Sequence, residues 1–291
     1  MAHITKSGGS WAVQHPIVCL LLALCSYSVP PSASAAELQS HTIAAWEKYV
    51  RLTEQRIESE LRGATDGPRF LVIDFNGESK ARALRDILRR GEIHIQKLQT
   101  REQTREIAVD DGIIHHWMGA IFVPGIKLDP LLTWVKDYVQ HDKFFPEIER
   151  SRLLSNDGDT YKIYLRLKRK KIITVVYNTE HSASYFSHSA TRVASKSFTT
   201  RIAQVEDAGT SQEKELPIGQ DGGYLWRLNS YWRFEERDGG VYVECESISM
   251  SRGIPFGVGW MIRGLVESLP RESLLNTLTS LRDGVRRSQI R

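Results

Sequence analysis

The spacing of hydrophobic residues changes character at the turn Asp110-Asp111-Gly112. Before it, helical spacing dominates. Ala44, Ala45, Tyr49, Leu52, Ile57 and Leu61 recur at about the pitch of a helix, which predicts one over Glu37–Arg62, ended by Gly63. Phe70–Phe75 (FLVIDF) is a continuous apolar run and reads as a short strand or extended segment. A second helix is expected over Ser79–Arg90, with Ala83, Leu84, Ile87 and Leu88 on one side and Gly91 as its stop. Glu92–Leu98 alternates and predicts a strand.

After Gly112 strand patterns prevail. Ile113–Val123 reads as a strand, Leu128–Gln140 as a helix with Leu131, Leu132, Val135 and Tyr138 on its apolar face. Strands are then expected near Glu147–Leu154, Tyr161–Lys168, Lys171–Phe186 and Ala190–Glu206. A polar loop, Asp207–Gly223, leads into Tyr224–Arg252, two long strands joined at Asp238-Gly239. A final helical region starts at Pro255 and runs to about Arg287, with Pro270 expected to divide it.

The Asp238-Gly239 turn fixes a register that can be tested. Pairing Arg237 with Gly240 sets Phe234 against Val243, Trp232 against Cys245, Ser230 against Ser247 and Leu228 against Ser249. One face then carries Trp226, Leu228, Ser230, Trp232, Phe234, Val243, Cys245, Ser247 and Ser249. The other carries Arg227, Asn229, Tyr231, Arg233, Glu244 and Glu246. On the first face large aromatics oppose Ser and Cys. That mismatch leaves room for a helix approaching closely or for a cavity.

Composition adds bounds. The chain has 291 residues, 41% hydrophobic and 25% charged, enough apolar material for a sizeable core. A net charge of +4 is too weak to imply nucleic acid, and no nucleic-acid partner is expected. Residues 1–35 read as a cleavable signal peptide. Ile17–Cys25 is a short apolar core and Ala33-Ser34-Ala35 a cleavage site, with cutting expected after Ala35. A secreted or periplasmic location is expected, with an uncleaved N-terminal anchor as the alternative. The remaining chain keeps one cysteine, Cys245, so no intramolecular disulfide is expected.

Chemistry-bearing residues are scattered. His115 and His116 are adjacent on a strand and must point to opposite faces. No cluster has metal-ligand spacing, and no phosphate-binding or nucleophile-elbow motif appears, so no metal, cofactor or catalytic residue is assigned. Arg192 and Glu180 are expected to meet as a cross-strand salt pair, as are Arg233 and Glu244. The run Lys168-Arg169-Lys170-Lys171 reads as a solvated hairpin tip. Transient contact with an anionic membrane surface is its alternative.

The element order from Ile113 onward resembles the START-like, helix-grip (SRPBCC) superfamily of polyketide cyclases and lipid-transfer domains. HHWMGAIFVPG, TRIAQVEDAG, LWRLNSYWRFEERDGGVYVECESISMSR and VESLPRES resemble an uncharacterised secreted bacterial branch of it. The resemblance implies an α+β fold, a curved antiparallel sheet gripping a long C-terminal helix over residues 111–291, with residues 36–110 as a helical, mixed extension. It also implies a hydrophobic small molecule or lipid held between sheet and helix; because the assignable inward positions are Ser, Cys and aromatics, no chemistry of the protein's own is expected. The expected pocket-lining residues are Trp226, Leu228, Trp232, Phe234, Cys245, Ser247, Phe256, Trp260 and Ile262. The alternatives are a cyclase or dehydratase using a polar residue in the cavity, or an envelope protein whose groove is filled.

Overall fold

The structure is a computed structural model that describes residues 36–62, 67–171, 173–253 and 259–289. Residues 1–35, and with them the expected signal peptide, lie outside the described residues. Ala35–Arg291 forms one compact unit.

Eight strands form the main path of one antiparallel sheet. They are β1 (His94–Lys97), β2 (Gly112–Pro124), β3 (Ile148–Asp157), β4 (Thr160–Lys170), β5 (Thr174–Ser189), β6 (Arg192–Glu206), β7 (Arg227–Arg237) and β8 (Gly240–Arg252). Their order across the sheet is β1-β2-β8-β7-β6-β5-β4-β3, and the two-residue strand Lys214–Glu215 adds to β6. The β7–β8 hairpin has the register that its turn demands, from Arg237↔Gly240 to Leu228↔Ser249. Asp238 and Gly239 both take positive φ, 57° and 77°, the geometry that matches the twist of the flanking strands.

Among the described residues four longer helices accompany the sheet: α1 (Ser40–Leu61), α2 (Glu78–Arg89), α3 (Leu128–Lys136) and α4 (Gly259–Gln289). Helix α4 is continuous through Pro270, where a division was expected. The proline removes one backbone donor and its neighbours carry the helix past it. Helix α3 ends earlier than its periodicity suggests, and a separate turn of 3-10 helix covers Tyr138–Gln140.

The expected strand Phe70–Phe75 is instead a 3-10 helix over Val72–Asn76. Its donors are taken by carboxylates, not by a neighbouring strand. Asp74 accepts from the N–H groups of Phe70 and Leu71 at 2.8 and 2.9 Å, and Glu244 from those of Val72 and Ile73 at 2.5 and 3.2 Å. A short apolar run fits a buried turn as well as a strand, so periodicity alone could not separate them.

The two faces of the sheet bury different partners. On one, here the grip face, Leu274, Leu278, Leu281 and Val285 of α4 pack with Ile121, Phe234, Val243 and Cys245. Gly119 stands opposite Cys245 and makes the close approach feasible. A Cβ built there would lie 2.5 Å from Leu278 Cδ1. The other, the cap face, lies under α1, the 3-10 turn and α2, which bury Met118, Phe122, Tyr242, Ile248 and Met250. Strand β1 pairs with β2, so the region before Gly112 extends the sheet as well as covering it.

Candidate functional site

The grip face of β7 and β8 changes along its length. Near the turn, Phe234, Val243 and Cys245 are buried against α4. Burial pushes the Cys245 thiol far up, which keeps it protonated and unreactive. Two residues further, Trp232 is half-buried, followed by half-buried Ser230, Leu228 and Ser247. Strand β6 sets Ser195 and Ser197 beside Trp232 and Ser230, and β2 sets half-buried Trp117 beside Ser247. The Trp232 ring stacks on Phe234 with 5° between planes, and its Nε1–H donates to Ser230 Oγ at 3.2 Å. Aromatic walls therefore stand on a floor of serines.

Two histidines join this face that the hairpin alone did not reveal. His115 stands opposite Ser249, and His181 of β5 opposite Ile163. Burial pushes each imidazole down to about 4, with Lys97 adding to the effect at His115. His115 Nε2 lies 3.0 Å from Ser251 Oγ, and His181 Nε2 lies 2.8 Å from Thr179 Oγ1. Four strand spacings separate β2 from β5, roughly 19 Å along the sheet, so the two rings do not form one centre. Extending the hairpin register to β2 would have found His115.

The cap face holds a strip of buried charge between its two apolar clusters. His116, Arg233, Glu235, Glu244 and Glu246 are all 3% exposed or less. His116 Nε2 donates to Glu246 Oε1 at 2.7 Å, and Tyr49 Oη lies 2.9 Å from His116 Nδ1. Arg56 of α1 donates to Glu246 and, at 2.7 Å, to Glu60. Arg233 donates to Glu60 at 2.5 Å and to the Phe70 carbonyl at 2.8 Å. Burial would raise Glu246, but His116 and Arg56 outweigh it and hold the carboxyl down at about 2. At Glu244 burial wins over Arg233 and two backbone donors, and the carboxyl is pushed up to about 7. A cleft of about 320 Å³ lies above the strip, between α1, the 3-10 turn and the chain from Gln96 to Arg101, with His116 among its lining.

These positions correct several expectations. Trp226 precedes the first residue of β7 and is not bound by its alternation. It packs with Trp46 and Tyr49 on the cap face, away from Trp232. Leu228, Trp232, Phe234, Cys245 and Ser247 do share the grip face. Phe256 lies outside the described residues, as do the side chains of Trp260 and Ile262. Arg192 pairs with Glu235, not Glu180, because β6 adjoins β7 at that height while Glu180 stands opposite Arg201. Arg233 and Glu244 are neighbours in register, yet each spends its hydrogen bonds on the N-terminal cap. The outer face of the hairpin is thus an interior.

The basic tip is largely neutralised. Lys168 pairs with Glu149 at 2.7 Å, Arg169 with Glu147 and Glu272, and Lys171 with Glu272 at 2.6 Å. It ties β4 to α4, beside an open, charge-lined cleft of about 480 Å³. Among the described residues no group of His, Cys, Asp and Glu could hold a metal ion.

No family model matches the chain, and no curated protein matches it. Solved structures similar to it include a Thermus thermophilus protein at 13% identity, covering 61% of this chain and 98% of that one, with a TM-score of 0.42. A STAR-related lipid transfer protein from Xanthomonas axonopodis shares 14% identity over 66% of this chain and 98% of that one, TM-score 0.41. The Zhui aromatase/cyclase from Streptomyces sp. R1128 shares 12% over 62% and 97%, TM-score 0.41. The chain has a long antiparallel sheet closed on one face by a C-terminal helix that follows its last strand, a helix-grip architecture.

Proposed function

We propose that the half-buried end of the grip face holds a hydrophobic small molecule or lipid, between the sheet and α4. The protein would do this in a secreted or periplasmic setting and without chemistry of its own. One observation carries the reading. Phe234 is fully buried and Trp232 two residues on is not; small residues flank it (Cys245, Ser195, Ser230, Ser197 and Ser247), and the large side chains beyond, Leu228 and Trp117, are half-buried as well. A face closed by its own helix has no use for that step from filled to open.

An acyl chain there would gain about 0.8 kcal/mol for each buried methylene. A dozen would contribute roughly 10 kcal/mol, and with association costs of about 4 kcal/mol the remainder corresponds to binding in the tens of micromolar, without any catalytic group. A cyclase or dehydratase would need acid and base groups gathered at this end. His116 and Arg192 lie on the cap face, away from His181.

Native mass spectrometry of protein purified from its own envelope, followed by lipid extraction, tests the proposal. A co-purifying apolar species is expected. Retention of the same species by a Trp232→Ala, Leu228→Ala double variant would sink the assignment.

A further inference from the structure

We infer that the cap-face cleft is a second binding site, for a small organic carboxylate with an apolar body, and that Arg56 anchors it. The cleft lies across the sheet from the grip face and does not depend on what the grip face holds.

The floor of the cleft is fixed. Arg56 is held by Glu60 and Glu246, so its planar guanidinium has one orientation. These bonds use two of its five N–H groups, and its side chain is still 36% exposed. His116 beside it is locked between Glu246 and Tyr49. Both features are the preorganisation that a binding site requires.

The polarity of the cleft follows from which charges are already spent. Glu60 is committed to Arg56 and Arg233, and Glu246 to Arg56 and His116. The donors left over belong to Arg56; at the mouth half-exposed Arg101 donates to Gln99 and pairs with Glu106 at 3.6 Å, which leaves its Nη1 donors. An anion therefore fits and a cation does not. One side of the cleft is apolar, with Leu52 from α1, Leu98 and Phe75, the last 36% exposed; Asn76, Gln96, Gln99 and Thr100 supply neutral polar groups beside them. A volume of about 320 Å³ is near the lower end of usual ligand pockets. It suits a compact molecule with one carboxylate.

A covering role alone does not account for the strip. Apolar clusters on both sides of it show that the same cap buries hydrophobic residues readily. Buried ion networks are commonly no more stabilising than apolar replacements.

The test uses the full chain with benzoate, benzamide and benzylamine as probes, titrated to about 10 mM by saturation-transfer NMR, a range that reads affinities in the millimolar class. Benzoate should bind about tenfold more tightly than benzamide, and benzylamine should not bind. Arg56→Lys keeps the charge but loses the fork, and should weaken benzoate about tenfold. Trp232→Ala, on the opposite face, should leave it unchanged. Equal binding of the three probes overturns the inference. So does no benzoate binding, binding that survives Arg56→Lys, or binding lost in Trp232→Ala. If Arg56→Lys fails to fold by circular dichroism, the surface variants Phe75→Ala and Arg101→Ala replace it. Full benzoate affinity in both would equally overturn the site.

Discussion

The two faces of the central sheet solve the same burial problem with opposite materials. On the grip face, α4 meets Phe234, Val243 and Cys245 through leucines and a valine. On the cap face, α1 and the 3-10 turn meet the same two strands through Arg233, Glu244 and Glu246 as well as through apolar residues. Apolar packing tolerates small shifts between helix and sheet. A buried charge does not, because losing its partner strands it in a poor solvent. The cap is therefore positioned more strictly than the helix, and the grip face keeps an end that is not tightly filled. Strict positioning suits a site built from oriented donors. A loosely filled end suits an apolar guest.

Breaking one ion partner should be the most damaging change. Arg233→Ala takes one of two cations from Glu60, the nearby charge from Glu244 and the donor from the buried Phe70 carbonyl, and should cost about 3–5 kcal/mol in urea unfolding. A smaller loss would mean that the cap face repacks as readily as an apolar one.

The pH dependence separates the faces by sign. Glu244 is raised from 4.5 to about 7, so the folded state holds a proton that the unfolded state has released. Its contribution is fully present below pH 4.5 and is lost as pH rises to about 7, roughly 3 kcal/mol in all. His181 is lowered from 6.5 to about 4, so acid favours the unfolded state. Its contribution is present above pH 6.5 and is lost as pH falls to about 4, again roughly 3 kcal/mol. Glu244→Gln should remove the Glu244 share of the alkaline loss, and His181→Gln should reduce the acid loss by about half, since His115 is lowered equally and remains, each read from stability between pH 4 and 8. Similar pH profiles in both variants would abolish the contrast.

Gly119→Ala should cost about 1–3 kcal/mol by thermal melting, since the new methyl meets Leu278 and Ile95 side chains that must move. Trp232→Ala should be the mildest, about 1 kcal/mol, because its ring is half-buried while Phe234 beyond it is closed. Stability loss on the scale of a fully buried aromatic would show that this end is as filled as the other.

Much of the grip face was readable from the chain. The Asp238-Gly239 turn sets the register, and alternation places Phe234, Trp232, Cys245 and Ser247 together. The same alternation misplaces Trp226, because parity holds only inside a strand and Trp226 stands before β7 begins. His115 was within reach of the register and His181 was not, since a bulge between Glu180 and His181 resets parity along β5. The cap-face site was hidden for a different reason. Arg56, His116, Arg233 and Glu246 look like solvated charges when read singly, and their meeting depends on contacts between residues up to 190 positions apart.

The sequence by itself determined the strands, the hairpin register and the long final helix, because these depend on side-chain period and on turn residues close in the chain. It also determined that one hairpin face is aromatic and serine-rich and the other charged. Only the tertiary structure decided that the charged face is an interior and that FLVIDF is a turn seated on Glu244. It alone decided that Gly119 admits Leu278 beside Cys245. Burial belongs to the whole chain. A charge on a strand is solvated or sealed according to what distant segments lay over it, and period carries no information about that.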